Sequence, residues 1–237
     1  ILAYNFIKKM KNIHQSKNIR INEVFNKVSN KYDLMNDLMS LGVHRIWKKN
    51  LIDWINPSKN TKLIDMSTGT GDITKEFLKR VNSQANVVCV DPNQKMINEG
   101  KRRLKNFKNI EWICSAAENL PLKKEMFDVY VVSFGLRNFM NIDKSLGEAY
   151  RVLKPGGRFI CLEFSKVENE LLEKIYKIYS KTIPYLGKYI IGSSEPYEYL
   201  IKSIEDFHSQ YKLVEILQKA GFSEIEYRNL SGGIVAI

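Results

Sequence analysis

The spacing of apolar positions along the chain changes period near residue 56. Between about residues 22 and 55, Val24, Phe25, Val28, Tyr32 and Met35 recur at three- and four-residue steps. Leu38, Leu41, Ile46, Leu51 and Ile55 continue that step across a break at Gly42. This period lays one side of a helix against a core. Asn56-Pro57 ends the segment, because proline disfavours helical backbone in the residue before it. Beyond it, short continuous apolar runs predict strands over 62–65, 86–91, 110–114, 127–133 and 158–163. Runs such as Val-Val-Cys-Val and Val-Tyr-Val-Val suit strands covered on both faces. Helical segments separate them over 72–81, 94–104 and 144–152, the last stopped by Pro155-Gly156-Gly157. Strand and helix in alternation predict parallel pairing and right-handed crossovers.

After the fifth strand the pattern turns helical again. A Tyr- and Ile-rich insertion is predicted over about 169–203, followed by a helix over 210–220 with Gly221 as its stop. Two final strands, 223–229 and 233–237, are separated by a tight Ser-Gly-Gly turn and predict a hairpin. The expected class is therefore α/β: a five-strand doubly wound sheet closed by an antiparallel hairpin. The 237 residues suit one domain over 22–237, with the insertion at 168–204 and a lead over 1–21.

Composition narrows this picture. An apolar content of 44% marks a globular chain. No apolar run approaches the ~20 residues needed to span a bilayer. The net charge of +11 leaves three readings open: a solvated Lys-rich surface, attraction to an anionic membrane, or attraction to nucleic acid. Cys89, Cys114 and Cys161 each lie in a strand-like run without a CxxC pair, so buried free thiols are expected and no metal. Lys8, Lys9, Lys11, Lys17 and Arg20 fall in an acid-free lead similar to the end of a mitochondrial transit peptide. A mitochondrial address is the expectation, with a bacterial cytoplasm as the alternative.

The candidate chemistry begins at the tip of the first strand. Asp65 is followed by Thr68-Gly-Thr-Gly-Asp72 and then a helix. Gly69 and Gly71, with Thr70 between them, let backbone approach a ligand and present free N–H groups at a helix start. A nicotinamide dinucleotide would need a third glycine where Thr74 stands. Asp91, at the tip of the second strand and followed by Pro92, is placed to accept both hydroxyls of a ribose. Its competing role is capping the next helix. Ala116 and Ala117, after the third strand, are small enough to edge a purine ring.

Longer stretches make a family visible. They are Lys31-Tyr-Asp-Leu-Met-Asn-Asp-Leu-Met-Ser40, Gly42-Val-His-Arg-Ile-Trp-Lys48, Ser133-Phe-Gly-Leu-Arg-Asn138, Arg151-Val-Leu-Lys-Pro-Gly-Gly-Arg158, Leu162-Glu-Phe-Ser165, Tyr197-Glu-Tyr-Leu200 and Asn229-Leu-Ser-Gly-Gly-Ile-Val-Ala236. In family order, they resemble the UbiE-type C-methyltransferases of ubiquinone and menaquinone biosynthesis. The resemblance implies a class I methyltransferase fold: a Rossmann-like seven-stranded sheet whose strands 6 and 7 form an antiparallel hairpin. It implies S-adenosyl-L-methionine as methyl donor, with S-adenosyl-L-homocysteine as product. Cofactor roles pass to Asp65, Gly69, Thr70, Gly71, Asp91, Pro92, Ala116, Ala117 and Ser133. Three positions depart from the family pattern: Thr68 replaces a glycine, Ala116 an asparagine, and His208 a proline.

The implied reaction is C-methylation of a lipophilic quinol, of the 2-methoxy-6-polyprenyl-1,4-benzoquinol type. A demethylmenaquinol, or a non-catalytic scaffold in a quinone-biosynthesis complex, is the alternative. Arg137 and Asn138, beyond the fourth strand, are expected to face the acceptor. Arg137 would stabilise a phenolate and Asn138 orient its oxygen. Tyr32 would cover the cofactor or touch the acceptor. The aromatic insertion would shelter an isoprenoid tail, at a peripheral membrane surface on the matrix face. A homodimer or a biosynthetic complex fits the same reading. A nucleic-acid substrate is not expected: the Asn/Asp-Pro-Pro-aromatic pattern of amino-group methylation is replaced by Ser133-Phe-Gly-Leu136.

Overall fold

The five apolar runs become parallel neighbours in the computed structural model, which describes residues 32–237. The strands are β1 (Leu63–Met66), β2 (Val87–Asp91), β3 (Ile110–Cys114), β4 (Phe127–Ser133) and β5 (Leu153–Phe164). β6 (Asn229–Leu230) and β7 (Val235–Ala236) complete one sheet in the order β3-β2-β1-β4-β5-β7-β6. β1 pairs in parallel with both β2 and β4, Leu63 lying opposite Val87 and Val129. The chain order thus reverses between β1 and β4, where open α/β sheets take their ligands. β7 is antiparallel to β5, Glu163 opposite Ala236, and antiparallel to β6. The expected α/β class with its closing hairpin is observed.

The helices are α1 (Tyr32–Ser40), α2 (His44–Ile55), α3 (Asp72–Arg80), α4 (Gln94–Arg103), α5 (Ile142–Val152), α6 (Glu170–Ile191), α7 (Glu195–Glu205) and α8 (Gln210–Lys219). Alternation along the strands sorts their side chains into two layers. Leu63, Val87, Cys89, Val129 and Val131 pack with Leu51 and Ile55 of α2 and Phe77 of α3. Ile183 of α6 and Tyr197 of α7 join that layer. Ile64, Met66, Val88, Val90 and Tyr130 face the other layer, with Ala149 and Val152 of α5. Each large side chain so buried contributes roughly 1.5–3 kcal/mol. Helix starts follow their caps: Asn93, Asn141, Asn169 and Ser209 each accept a backbone N–H from the first turn.

Some expectations need correction. β5 begins at Leu153, not at Arg158. Leu153 pairs with Phe127 and Arg158 with Val129, so four β5 residues bulge out against one of β4. Pro155 cannot donate to a ladder, and Gly156 takes φ +73° to turn the bulge. In the hairpin only Asn229–Leu230 pairs as a strand, not 223–229. Just behind it Arg228 and Ile237 exchange both backbone hydrogen bonds, at 2.8 and 3.0 Å, and residues 223–227 stay outside the pairing. The insertion divides into α6 and α7 at Gly192, φ +88°. The expected lead over 1–21, and Val24, Phe25 and Val28, lie outside the described residues.

Candidate active site

Each residue of the glycine turn is held from below. β1 ends at Met66, and Ser67, Gly69 and Gly71 follow with positive φ. The Asp65 carboxylate is buried beneath them. Its Oδ2 accepts from Thr68 Oγ1 (2.8 Å), Thr74 Oγ1 (2.7 Å) and Thr74 N (3.2 Å). Burial pushes the Asp65 carboxyl up to about 6, against these hydrogen bonds. Asp65 therefore holds the turn from inside. Thr68, in the family's first glycine position, keeps ordinary backbone and uses its hydroxyl to tie the turn to Asp65.

Asp91 joins the two strand tips. Its Oδ2 accepts the Gly69 N–H at 2.9 Å, and its Oδ1 the Asn93 N–H at 2.8 Å. Asn93, not Asp91, caps α4, through Lys95 N and Met96 N. The capping alternative for Asp91 therefore falls away. Burial raises the Asp91 carboxyl to about 6. Each carboxylate oxygen has a second lone pair, which leaves acceptors for a ribose. The two glycines differ in their surroundings. A Cβ on Gly69 would meet nothing within 4 Å, whereas one on Gly71 would meet Leu104 Cδ1 at 2.6 Å. Gly69 thus faces an open cradle, while Gly71 is packed beneath α4.

The remaining predicted cofactor positions surround the same strand tips. Ala117 is buried and Ala116 and Pro92 are exposed. The Ser133 hydroxyl, at the tip of β4, is buried without a hydrogen-bond partner among the described residues. An orphaned donor beside an open backbone cradle and a carboxylate with spare lone pairs suits a nucleoside with a polar tail. Thr70 is buried, and its hydroxyl bonds to the Arg103 guanidinium, so only its main chain can serve a ligand. A separate cavity of about 1010 Å³, lined by Tyr150, Phe159, Leu213 and Phe222, touches none of these positions.

Arg137, expected to face the acceptor, is held in a buried ion pair. Its NH1 donates to Glu163 Oε1 at 2.8 Å and to the Phe134 carbonyl at 2.6 Å. Its Nε lies 3.3 Å from Ser203 Oγ on α7, and the guanidinium lies 5.4 Å from the centroid of the Phe164 ring. The two side chains of the Arg137–Glu163 pair are 5% and 3% exposed. Glu163 is the penultimate residue of β5, beside the tip of β4, and a desolvated guanidinium is stable there only with such a partner. Asn138 Oδ1 accepts from Tyr199 OH at 2.8 Å, which ties the turn to α7. Tyr32 opens α1, but its side chain lies outside the described residues.

A model of the ubiE/COQ5 methyltransferase family matches residues 13–237. The chain belongs to that family. It is 47% identical over 223 residues to the ubiquinone/menaquinone biosynthesis C-methyltransferase UbiE of Brucella anthropi, covering 92% of this chain and 85% of that one. The protein of the same name from Rickettsia prowazekii is 46% identical over 224 residues, covering 92% and 90%. Among solved structures, a SAM-dependent methyltransferase from Thermotoga maritima shares the fold with a TM-score of 0.64 at 20% identity, covering 90% of this chain and 95% of that one. One from Aquifex aeolicus aligns with a TM-score of 0.60 at 18% identity, covering 80% and 85%.

In this ubiE/COQ5 family member, sequence reasoning passed over a polar network outside the glycine turn. Lys48 Nζ lies 2.7 Å from Asp72 Oδ2, and Arg103 NH2 lies 3.1 Å from Asp72 Oδ1. Burial works against the Asp72 charge, but Lys48 and Arg103 hold its carboxyl below the usual range. Asp72 begins α3 directly after Gly71, so α2 and α4 grip the turn through it. Lys48 was visible only as the end of Gly42–Lys48, with no charge pattern to name its partner. His44, in the same stretch, is buried against Asp37, Nε2 to Oδ1 at 2.9 Å.

Proposed function

We propose that this chain transfers a methyl group from S-adenosyl-L-methionine to a ring carbon of a polyprenyl benzoquinol in ubiquinone biosynthesis, with a demethylmenaquinol as the alternative acceptor. The observation that carries the proposal is the bridge from Asp91 to the Gly69 N–H across the tips of β1 and β2, in a chain of this family. When bound, the donor supplies a methyl group already activated on a sulfonium. The chain's own residues position it. Asp91 receives the ribose hydroxyls, the Gly69–Gly71 backbone cradles the tail, Ala116 and Ala117 edge the adenine, and Ser133 offers its hydroxyl at the tip of β4. Asn138, oriented by Tyr199, faces the acceptor. Arg137, neutralised by Glu163, holds the turn that carries Asn138.

Thr68 supports catalysis over a non-catalytic scaffold, because its side chain reinforces the turn it occupies. The decisive assay is methylation of a short-chain reduced benzoquinol by the full chain, with mass spectrometry of the product. Unmethylated quinol recovered after binding of the donor would overturn the proposal. Depletion in its host, followed by mass spectrometry of accumulating quinone intermediates, separates the two acceptors.

The same proposal places the protein peripherally on a membrane. No helix among the described residues is long and apolar enough to cross one. On α6, Leu171, Ile175, Ile178, Tyr185 and Tyr189 recur at helical spacing and are exposed, Tyr189 by 93%. Lys174, Lys177, Lys181 and Lys188 flank this stripe, which suits an anionic lipid surface holding a lipophilic quinol. A mitochondrial matrix address, supported by the basic lead, is tested by fractionation of the tagged protein. A homodimer or a quinone-biosynthesis complex is tested by sedimentation and co-purification.

A further inference from the structure

C-methylation of a quinol requires a group to take the acceptor's hydroxyl proton. Arg137 cannot, since its guanidinium offers donors and no acceptor and its charge is paired with Glu163. Asn138 does not titrate. His44 is a titratable group at the same end of the molecule. Its side chain is 7% exposed, and Nε2 lies 2.9 Å from Asp37 Oδ1. Arg45 NH2 holds the other oxygen, Oδ2, at 2.7 Å. The hydrogen bond from His44, aided by Arg45, lowers the Asp37 carboxyl, which stays a carboxylate and accepts only. The imidazole proton therefore sits on Nε2, and Nδ1 keeps its lone pair. Nδ1 is buried and has no hydrogen-bond partner among the described residues. A carboxylate fixing one ring nitrogen while the other stands bare is the arrangement that makes histidine a base.

The course of α2 carries His44 to the site. Its last residue, Ile55, receives the Arg158 guanidinium, and Arg158 pairs with Val129 near the start of β4. One turn after His44, Trp47 lies 6.2 Å from Phe134, directly beyond Ser133, and Lys48 pairs with Asp72 beside Gly71. His44 thus heads α2 at the carboxyl end of the strands, about one 5.4 Å turn beyond the contacts that define the site. Asp37 from α1, Lys48 from α2 and Asp72 from α3 are the charged groups around it. Burial, opposed by Asp37, lowers the His44 pKa, so the imidazole is neutral near pH 7.

We infer that His44 Nδ1 is the general base of the methyl transfer, positioned by Asp37. This rests on the quinol reading above. The acceptor O–H bond breaks and its proton passes to Nδ1, giving an imidazolium held by Asp37. The ring carbon then forms its bond to the methyl as the methyl–sulfur bond breaks, with that electron pair remaining on sulfur. The ring hydrogen leaves as a proton to water, and the new phenolate takes back the proton from His44. One proton is released in all.

The test uses the full chain and a short-chain benzoquinol. His44→Ala is expected to lower kcat by about 10²–10⁴-fold, keep donor affinity within about twofold by calorimetry, and recover part of its rate with added imidazole. Asp37→Asn should move the acidic limb of the pH–rate profile to lower pH, since the imidazolium loses its carboxylate. Independently of turnover, ¹⁵N spectra of the histidine-labelled protein should show the proton on Nε2. Wild-type turnover in His44→Ala overturns the inference, as does a loss that imidazole does not rescue or a proton found on Nδ1. If the wild-type chain binds the donor but methylates no quinol, the proposed function fails instead.

Discussion

At the scale of the residue, the proposed donor site turns on Asp91. Its carboxyl, raised to about 6 by burial, is half protonated near that pH. The carboxylate form offers the ribose more acceptors than the acid. Donor affinity should therefore strengthen as pH rises from 5 to 7, with its midpoint near 6, as read by calorimetry. The contribution of these buried carboxyls to the stability of the free protein moves the other way. Asp65 and Asp91 both have folded-state values above those of the unfolded chain. Between about pH 4 and 6 these two groups bind more protons in the folded state, so their contribution falls with rising pH, while the lowered Asp37, Asp72 and His44 act in the opposite sense. The difference in thermal midpoint between the wild-type chain and Asp65→Asn, measured at about pH 4.5 and 6.5 without donor, isolates this sign. Asp91→Ala should weaken donor binding by at least about 100-fold, the loss of two hydrogen bonds to a charged group. The glycines should separate affinity from stability. Gly69→Ala projects into the open cradle, so it should weaken the donor while costing roughly 1–2 kcal/mol for its positive φ. Gly71→Ala strikes Leu104 and should cost more than that in stability.

At the scale of the element, the turn after β4 depends on its neighbours. Arg137 links that turn to β5 through Glu163 and to α7 through Ser203. Glu163→Gln leaves a buried guanidinium without a counter-charge, so denaturant unfolding should show a loss of about 3–5 kcal/mol. α6 is tied inward by Tyr179, whose hydroxyl donates to the Leu38 carbonyl on α1. Its outer stripe has no such partner. Ile178→Glu with Tyr189→Asp should reduce sedimentation with phosphatidylglycerol-containing vesicles at least tenfold, with donor affinity unchanged. Equal binding to vesicles of neutral phosphatidylcholine would show that the flanking lysines play no part.

At the scale of the whole molecule, the order β3-β2-β1-β4 gathers the proposed ligand groups. Asp91, the Gly69–Gly71 turn, Ala117 and Ser133 come from different strands, yet parallel pairing brings all their tips to one edge. The closing antiparallel hairpin continues the sheet past β5, and its Ser231 hydroxyl accepts the Trp47 indole N–H of α2 at 2.9 Å. That bond, with the Lys48–Asp72 pair, fastens α2 beside the strand tips. The charge of +11 then acts as a field over the whole surface, and membrane attachment should weaken as salt rises.

The sequence by itself determined what period and local chemistry can carry. The strands β3 and β4, the helices α3 and α4, and the glycine turn followed by Asp91 were legible because apolar runs, caps and positive-φ glycines act on near neighbours. The hydrogen-bond partners of Asp65 and Arg137 were decided by tertiary structure. Asp65 turned inward to Thr68 and Thr74, and Arg137 found Glu163, 26 residues away. The bulge at the start of β5 likewise needed β4 beside it. Whether a charged side chain faces a ligand or a partner depends on which distant group reaches it first, and only the folded chain decides that.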